Sequence, residues 1–159
     1  MKSLPIKLIT ALCLIVLFPC SGSSDEEIGA GERFISHGSG IVFDRVTDLE
    51  WLVGPDQNTN WDQAKSWVDG LGSDDDGWRM PTSSELNSLY KRNTGSRNMT
   101  TPLLKTTGWW IWSGETRTTD GAWSARAIFL RRGNSSWLSR DSRYYNVGRG
   151  FAVRSKEGS

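Results

Sequence analysis

Asp76-Gly77-Trp78-Arg79-Met80-Pro81-Thr82-Ser83-Ser84-Glu85-Leu86 is the stretch on which the fold turns. Thr82 and Glu85 stand three apart, just ahead of an apolar residue. That is capping-box spacing: the Thr82 hydroxyl accepts from the Glu85 N–H, and the Glu85 carboxylate reaches back. A short helix therefore starts here, with Leu86, Leu89 and Tyr90 as its buried stripe. Upstream, Ser73-Asp74-Asp75-Asp76-Gly77 reads as a turn. It lacks the spacing and closing Glu of an EF-hand, so a solvated acidic loop is expected rather than a calcium site. Further back, Asn60 caps a helix that begins at Trp61. Trp61, Ala64, Trp67, Val68 and Leu71 share one face of it, and Gly70 and Gly72 end it. Short strands are predicted at 33–36, 40–44 and 49–53. Downstream, 93–108 is a polar loop, and 109–113, 122–130 and 151–155 read as strands, with a turn at Arg132-Gly133-Asn134. Trp123, Ala125, Ala127 and Phe129 fall on one face of 122–130. This order predicts an α+β domain of twisted antiparallel sheets, two short helices and a long loop.

The 159-residue chain suits one domain, and 36% hydrophobic with 23% charged residues suits a folded one. Nine tryptophans and 17 glycines favour strands and tight turns over a helical bundle. Two cysteines and one histidine leave no Cys/His zinc set, and a Ser-His or Cys-His site would depend on His37 alone, in an exposed Ser-His-Gly-Ser turn. No metal, cofactor or catalytic residue is expected. Lys2 and Lys7 precede an apolar run from Leu8 to Phe18, so residues 1–19 read as a signal peptide. Leu17-Phe18-Pro19-Cys20 resembles a bacterial lipobox, with Pro19 where a small residue is usual, and it marks Cys20 for lipidation. The alternative is simple secretion after a small residue near Gly22. Residues 20–32 form a flexible tether, 33–155 the domain and 156–159 a tail. The expected location is the cell envelope, as an outer-membrane lipoprotein, otherwise periplasmic or secreted.

Charge is divided along the chain. Residues 21–85 hold fourteen acidic and four basic residues, and 86–159 hold four acidic and thirteen basic. Either the halves neutralise each other in the fold, or the second half carries a basic face for an anionic partner.

The central stretch resembles a bacterial family, the C-terminal domain of the Legionella collagen-like protein, whose pattern is roughly D-W-R-L-P-T followed by E-L. Gly40-Ile41-Val42-Phe43-Asp44, Thr47-Asp48-Leu49-Glu50-Trp51, Trp61-Asp62-Gln63-Ala64, Trp110-Ile111-Trp112-Ser113, Ala122-Trp123 and Val153-Arg154 resemble other blocks of it. The resemblance covers about residues 33–155. Gly114 departs from a Ser or Thr usual in the family, and cysteines that relatives carry are absent, with Trp67 and Ala152 near those places. The resemblance implies a fold like C-type lectins and formylglycine-generating enzymes. It implies neither the cysteine chemistry of the latter nor the calcium motifs of the former, since those residues are missing. It also implies an adhesion-type role and structural positions for Trp51, Trp78, Arg79, Pro81, Thr82, Glu85, Trp110 and Trp123. Arg79 is expected to pair with Asp44 or Asp76. The tail from Arg132 to Arg154 is similar to the ends of retroelement-diversified lectin-fold proteins.

Seven arginines between 117 and 149 exceed local capping needs. Arg117, Arg126, Arg131, Arg132, Arg140, Arg143 and Arg149, with Trp137, Tyr144 and Tyr145 among them, are the expected ligand-binding residues. Guanidinium forks match sulfate, phosphate and carboxylate, and flat aromatic faces suit sugars. The alternative is a solubilising rim turned toward the acidic half. The expected function is a non-enzymatic, lipid-anchored binding domain for an anionic polysaccharide or acidic protein surface, with no nucleic-acid partner. A diversified receptor for protein ligands, a structural envelope protein and an uncharacterised hydrolase are the alternatives.

Overall fold

A computed structural model describes residues 33–72, 76–140 and 147–156. The signal, tether and Cys20, the Asp74-Asp75 part of the acidic turn, and Arg143, Tyr144 and Tyr145 lie outside the described residues. The elements are β1 (Phe34–Ser36), β2 (Val42–Asp44), β3 (Leu49–Val53), α1 (Trp61–Asp69), α2 (Ser83–Ser88), β4 (Trp110–Thr119), β5 (Ala122–Phe129), β6 (Asn134–Ser139), β7 (Gly148–Arg149) and β8 (Phe151–Ser155). They form two four-stranded sheets, ordered β1-β2-β3-β8 and β6-β5-β4-β7. All pairs are antiparallel except β4 with β7. The architecture is α+β, as the sequence predicts.

Both helices start where their caps place them. Thr82 Oγ1 accepts from the Glu85 N–H at 3.2 Å, and the Thr82 N–H donates to Glu85 Oε2 at 2.7 Å. Asn60 and Gln63 make the same reciprocal pair at the start of α1, at 2.8 and 3.0 Å. Each box satisfies two backbone donors that the first turn of a helix leaves open. The segment before α2 is stitched to the last strand, because Arg79 exchanges both backbone bonds with Val153 at 3.0 and 2.9 Å. The Arg79 side chain meets neither Asp44 nor Asp76. It grips Glu85 with two bonds of 2.9 and 2.6 Å, since the capping box already holds that carboxylate beside it. Asp44 is taken by Arg33 at 2.7 and 2.5 Å.

The chain crosses from one sheet to the other at Gly150, between β7 and β8. Gly54 donates its N–H to the Gly150 carbonyl at 2.9 Å. A Cβ at Gly150 would sit 3.1 Å from the Trp67 ring and 3.3 Å from Ala64 Cβ, so a glycine lets α1 approach the crossing point. Beyond it, β8 pairs with β3 from Val53↔Phe151 to Leu49↔Ser155.

Two apolar clusters hold the layers together. One joins Trp51, Val153 and Phe151 to Leu86, Leu89, Ile111 and Ile128. The other packs Trp61, Ala64 and Val68 of α1 on Trp112, Ala125, Ala127 and Ala152. Ala152 belongs to this cluster and the half-buried Trp67 packs against it. Trp51 and Pro81 are fully buried, Trp78 is half-buried under the Arg154 guanidinium, and Trp110 stacks on Phe129 at 4.5 Å.

Trp123 departs from the expectation of a core position, being 57% exposed. Its face is the predicted one, shared with Ala125 and Ala127, but among the described residues no helix covers that end of the sheet as α1 covers the alanines. The β4–β5 register slips between Trp112 and Thr116. This bulge separates a buried half of β4 from an exposed half that runs on to Thr119, beyond the predicted end at Ser113. Trp123 pairs with Thr118 in the projecting half. The β6 strand is a second departure, because the sequence places only a turn and an irregular tail there.

Candidate functional site

β6 brings the basic and aromatic residues together. It pairs with β5 so that Arg126 lies opposite Trp137 and Ser124 opposite Ser139, while Arg117 on β4 lies opposite Ser124. Strand alternation puts Arg117, Ser124, Arg126 and Trp137 on one face of the sheet. The Arg117 guanidinium sits 4.5 Å from the Trp137 ring centroid and that of Arg126 5.7 Å. Arg126 is also held by Ser135 Oγ at 3.0 and 2.8 Å and by Glu115 at 3.5 Å. Glu115 in turn accepts from the Ser83 hydroxyl at 2.9 Å, which ties this face to the start of α2. Arg117 is positioned by stacking alone: it is exposed, and its five N–H donors meet no protein acceptor among the described residues.

The remaining predicted residues divide. Arg131 and Arg132 are exposed in the β5–β6 turn, at the far end of the hairpin. Arg140 belongs to a different place. It pairs with Asp62 and stacks between Trp61, at 4.4 Å, and the exposed Trp123, at 5.4 Å. Arg149 is not a surface residue at all, being 7% exposed. It donates to Asp56 at 2.7 Å, Asn58 at 2.5 Å and Thr107 at 3.2 Å. It thereby fastens the β3–α1 segment to the long loop, which removes it from the expected ligand-binding set. Burial acts to raise the Asp56 carboxyl pKa, but the Arg149 bond and the Thr107 and Thr106 donors outweigh it and hold it far below the carboxylate range. Asp44 and Glu85 are also held low. At each, burial acts upward and is outweighed, by Arg33 at Asp44 and by Arg79 at Glu85.

The charge division is neutralised in part within the fold, and part of the basic excess stays at the surface. Arg140, Arg149 and Arg154 pair with Asp62, Asp56 and Glu50 of the acidic half. Arg117, Arg131 and Arg132 have no carboxylate partner among the described residues and form the basic excess at the surface. The sequence reading missed how often tryptophan lies under arginine. Arg97 covers Trp109 at 4.3 Å and Arg154 covers Trp78 at 4.5 Å. The ladder that sets Trp137 opposite Arg126 begins at Phe129↔Asn134, so the turn spans 130–133, and a turn centred on Gly133 would instead have put Trp137 opposite Phe129.

His37 is exposed and meets Phe43 edge-on at 6.0 Å. Among the described residues no group of three or more His, Cys, Asp or Glu is placed to hold a metal ion. No described helix is long and apolar enough to cross a membrane.

No curated protein matches the chain. The family model described as the Lcl C-terminal domain matches residues 40–148. That span runs from the turn before β2 through both helices, the long loop and the β4–β5–β6 sheet to the start of β7. With its Trp-Arg-Met-Pro-Thr segment stitched to the last strand and its capped second helix, the chain belongs to the Lcl C-terminal domain family.

Proposed function

We propose that this protein is an exported, non-enzymatic binding domain, anchored through a lipid on Cys20, that holds an anionic polysaccharide on the Arg117–Trp137–Arg126 face. One observation carries the reading: Arg117 is stacked on Trp137 while its hydrogen-bond donors meet no protein acceptor among the described residues. A guanidinium ordered in this way loses little freedom when it takes a sulfate or carboxylate in bidentate fashion. The indole beside it offers a flat apolar surface to a sugar ring. Arg131 and Arg132, exposed and without carboxylate partners among the described residues, extend the positive surface along the hairpin. The lectin-like ancestry that the family resemblance implies is part of this proposal and agrees with two short helices and a long loop ahead of the terminal sheet.

The test uses protein beginning at Ser21, titrated with heparin and with a neutral polysaccharide from low to high salt. Binding is expected for heparin only and should weaken steeply as salt rises, since surface charges are screened within about 10 Å at 0.1 M. Charge reversal at Arg117, Arg131 and Arg132 should lower heparin affinity by about tenfold or more at low salt. Unchanged affinity after reversal would sink the proposal. A lack of heparin binding together with salt-sensitive binding to an acidic protein would move the same face to a protein ligand.

A further inference from the structure

We infer that a second, independent binding site, for the acetamido group of a neutral N-acetylated sugar, lies where the β3–α1 segment, α1 and Gly150 meet. A cavity of about 380 Å³ opens there. Small-molecule sites span about 300–1,000 Å³, so this one suits a single substituted pyranose better than a chain. Its lining contains no charged side chain. That separates it from the basic face and favours a neutral occupant.

The apolar wall is Trp67. Its ring edge packs against the backbone at Gly54 and Gly150, where an added Cβ would lie 3.0 and 3.1 Å from ring carbons. The ring is therefore fixed before any ligand arrives. The polar rim is made of three amides, Gln57, Asn58 and Gln63. Asn58 Oδ1 already accepts from Arg149 at 2.5 Å, and Gln63 Oε1 accepts from the Asn60 N–H at 3.0 Å. Those two bonds set the amide orientations and leave the Nδ2 and Nε2 groups as donors. Gln57 has no protein partner for its amide among the described residues, and it can both donate and accept. A rim biased toward neutral donors around an indole fits a carbonyl group whose oxygen accepts from the amides and whose carbon carries a methyl group. An acetamido substituent offers that combination, with an N–H for the Gln57 oxygen. Glucose offers only hydroxyls.

This site does not depend on the anionic-polysaccharide reading, and its test separates the two. Full-length protein labelled with ¹⁵N is titrated with free N-acetylglucosamine and, separately, with glucose. The expected Kd for the acetamido sugar is on the order of 1 mM, as suits one small ring in an open site. The Trp67 indole N–H and the side-chain amides of Asn58 and Gln63 should shift, and glucose should bind about tenfold more weakly. Gln57→Ala should weaken N-acetylglucosamine about threefold or more and leave the rest of the spectrum in place, because that side chain holds no part of the fold. Arg117→Glu should leave this affinity unchanged. The inference is overturned by no shift at about 50 mM sugar, where a millimolar site would be saturated. Shifts centred away from Trp67, equal binding of glucose, or unaltered affinity in Gln57→Ala would also overturn it.

Discussion

Replacing Arg149 by alanine should damage the fold and spare the binding face. The guanidinium makes three bonds: 2.7 Å to the Asp56 carboxylate, 2.5 Å to the Asn58 amide oxygen and 3.2 Å to the Thr107 hydroxyl. Hydrogen bonds to charged groups contribute about 1.5–3 kcal/mol each when their partners are left dry. Here the Asp56 side chain is 37% exposed and rehydrates once the arginine is gone, so the carboxylate bond counts at the low end of that range. The amide bond adds about 1 kcal/mol and the long hydroxyl bond about half of that, for a total loss of about 3 kcal/mol. In a domain of this size 1 kcal/mol moves the melting temperature by roughly 4 °C, so Arg149→Ala should melt about 12 °C lower. Circular dichroism melts and urea titrations measure the loss. Heparin affinity at a temperature where the variant is folded measures the face. Arg117→Ala should do the reverse, changing stability by less than about 0.5 kcal/mol and weakening heparin. A loss below about 1 kcal/mol for Arg149→Ala, or a folded variant that no longer binds heparin, would refute the division between a fastening arginine and a binding one.

Two other predictions concern stability. Asp44, Asp56 and Glu85 all have carboxyl pKa values held below their unfolded values near 4, so their contribution is fully present above that pH. It is lost as pH falls through the lower, folded values. Melting temperature should be level from about pH 5 to 8 and drop below about pH 4, and a decline that starts above pH 5 would contradict this assignment. Trp112 is fully buried and donates its indole N–H to the Thr59 carbonyl at 3.0 Å, whereas Trp123 is mostly exposed. Trp112→Ala should cost roughly 3–5 kcal/mol and Trp123→Ala under about 1 kcal/mol, and equal losses in urea denaturation would show that the projecting half of β5 is covered.

Local chemistry was legible in the sequence. Thr82 with Glu85, and Asn60 ahead of Trp61, announce both helix starts because a cap needs only residues three apart. Strands β1, β2, β3 and β8 follow from their boundaries and alternation. β6 was not legible, because Asn134-Ser135-Ser136-Trp137-Leu138-Ser139 has three serines and little intrinsic strand preference. It becomes a strand through its ladder with β5. The sequence groups Arg149 with the ligand-binding arginines because its partner Asp56 lies 93 positions away, and no local pattern signals such a pairing. Trp123 obeys the period-two alternation that assigned it. Alternation gives the face of a sheet and says nothing about how far a nine-residue helix extends over that face.

The crossing at Gly150 also dictates when this protein can fold. Trp51 lies opposite Val153, and Val53 opposite Phe151, so the third strand waits for a partner about a hundred residues later in synthesis. The other sheet receives β7 only with the same terminal segment. Until that segment leaves the ribosome, neither sheet has its full set of strands, and Trp51 and Leu49 remain on an open edge. Both sheets therefore reach their full set of strands in one step, when residues 148–155 dock on two partly built sheets.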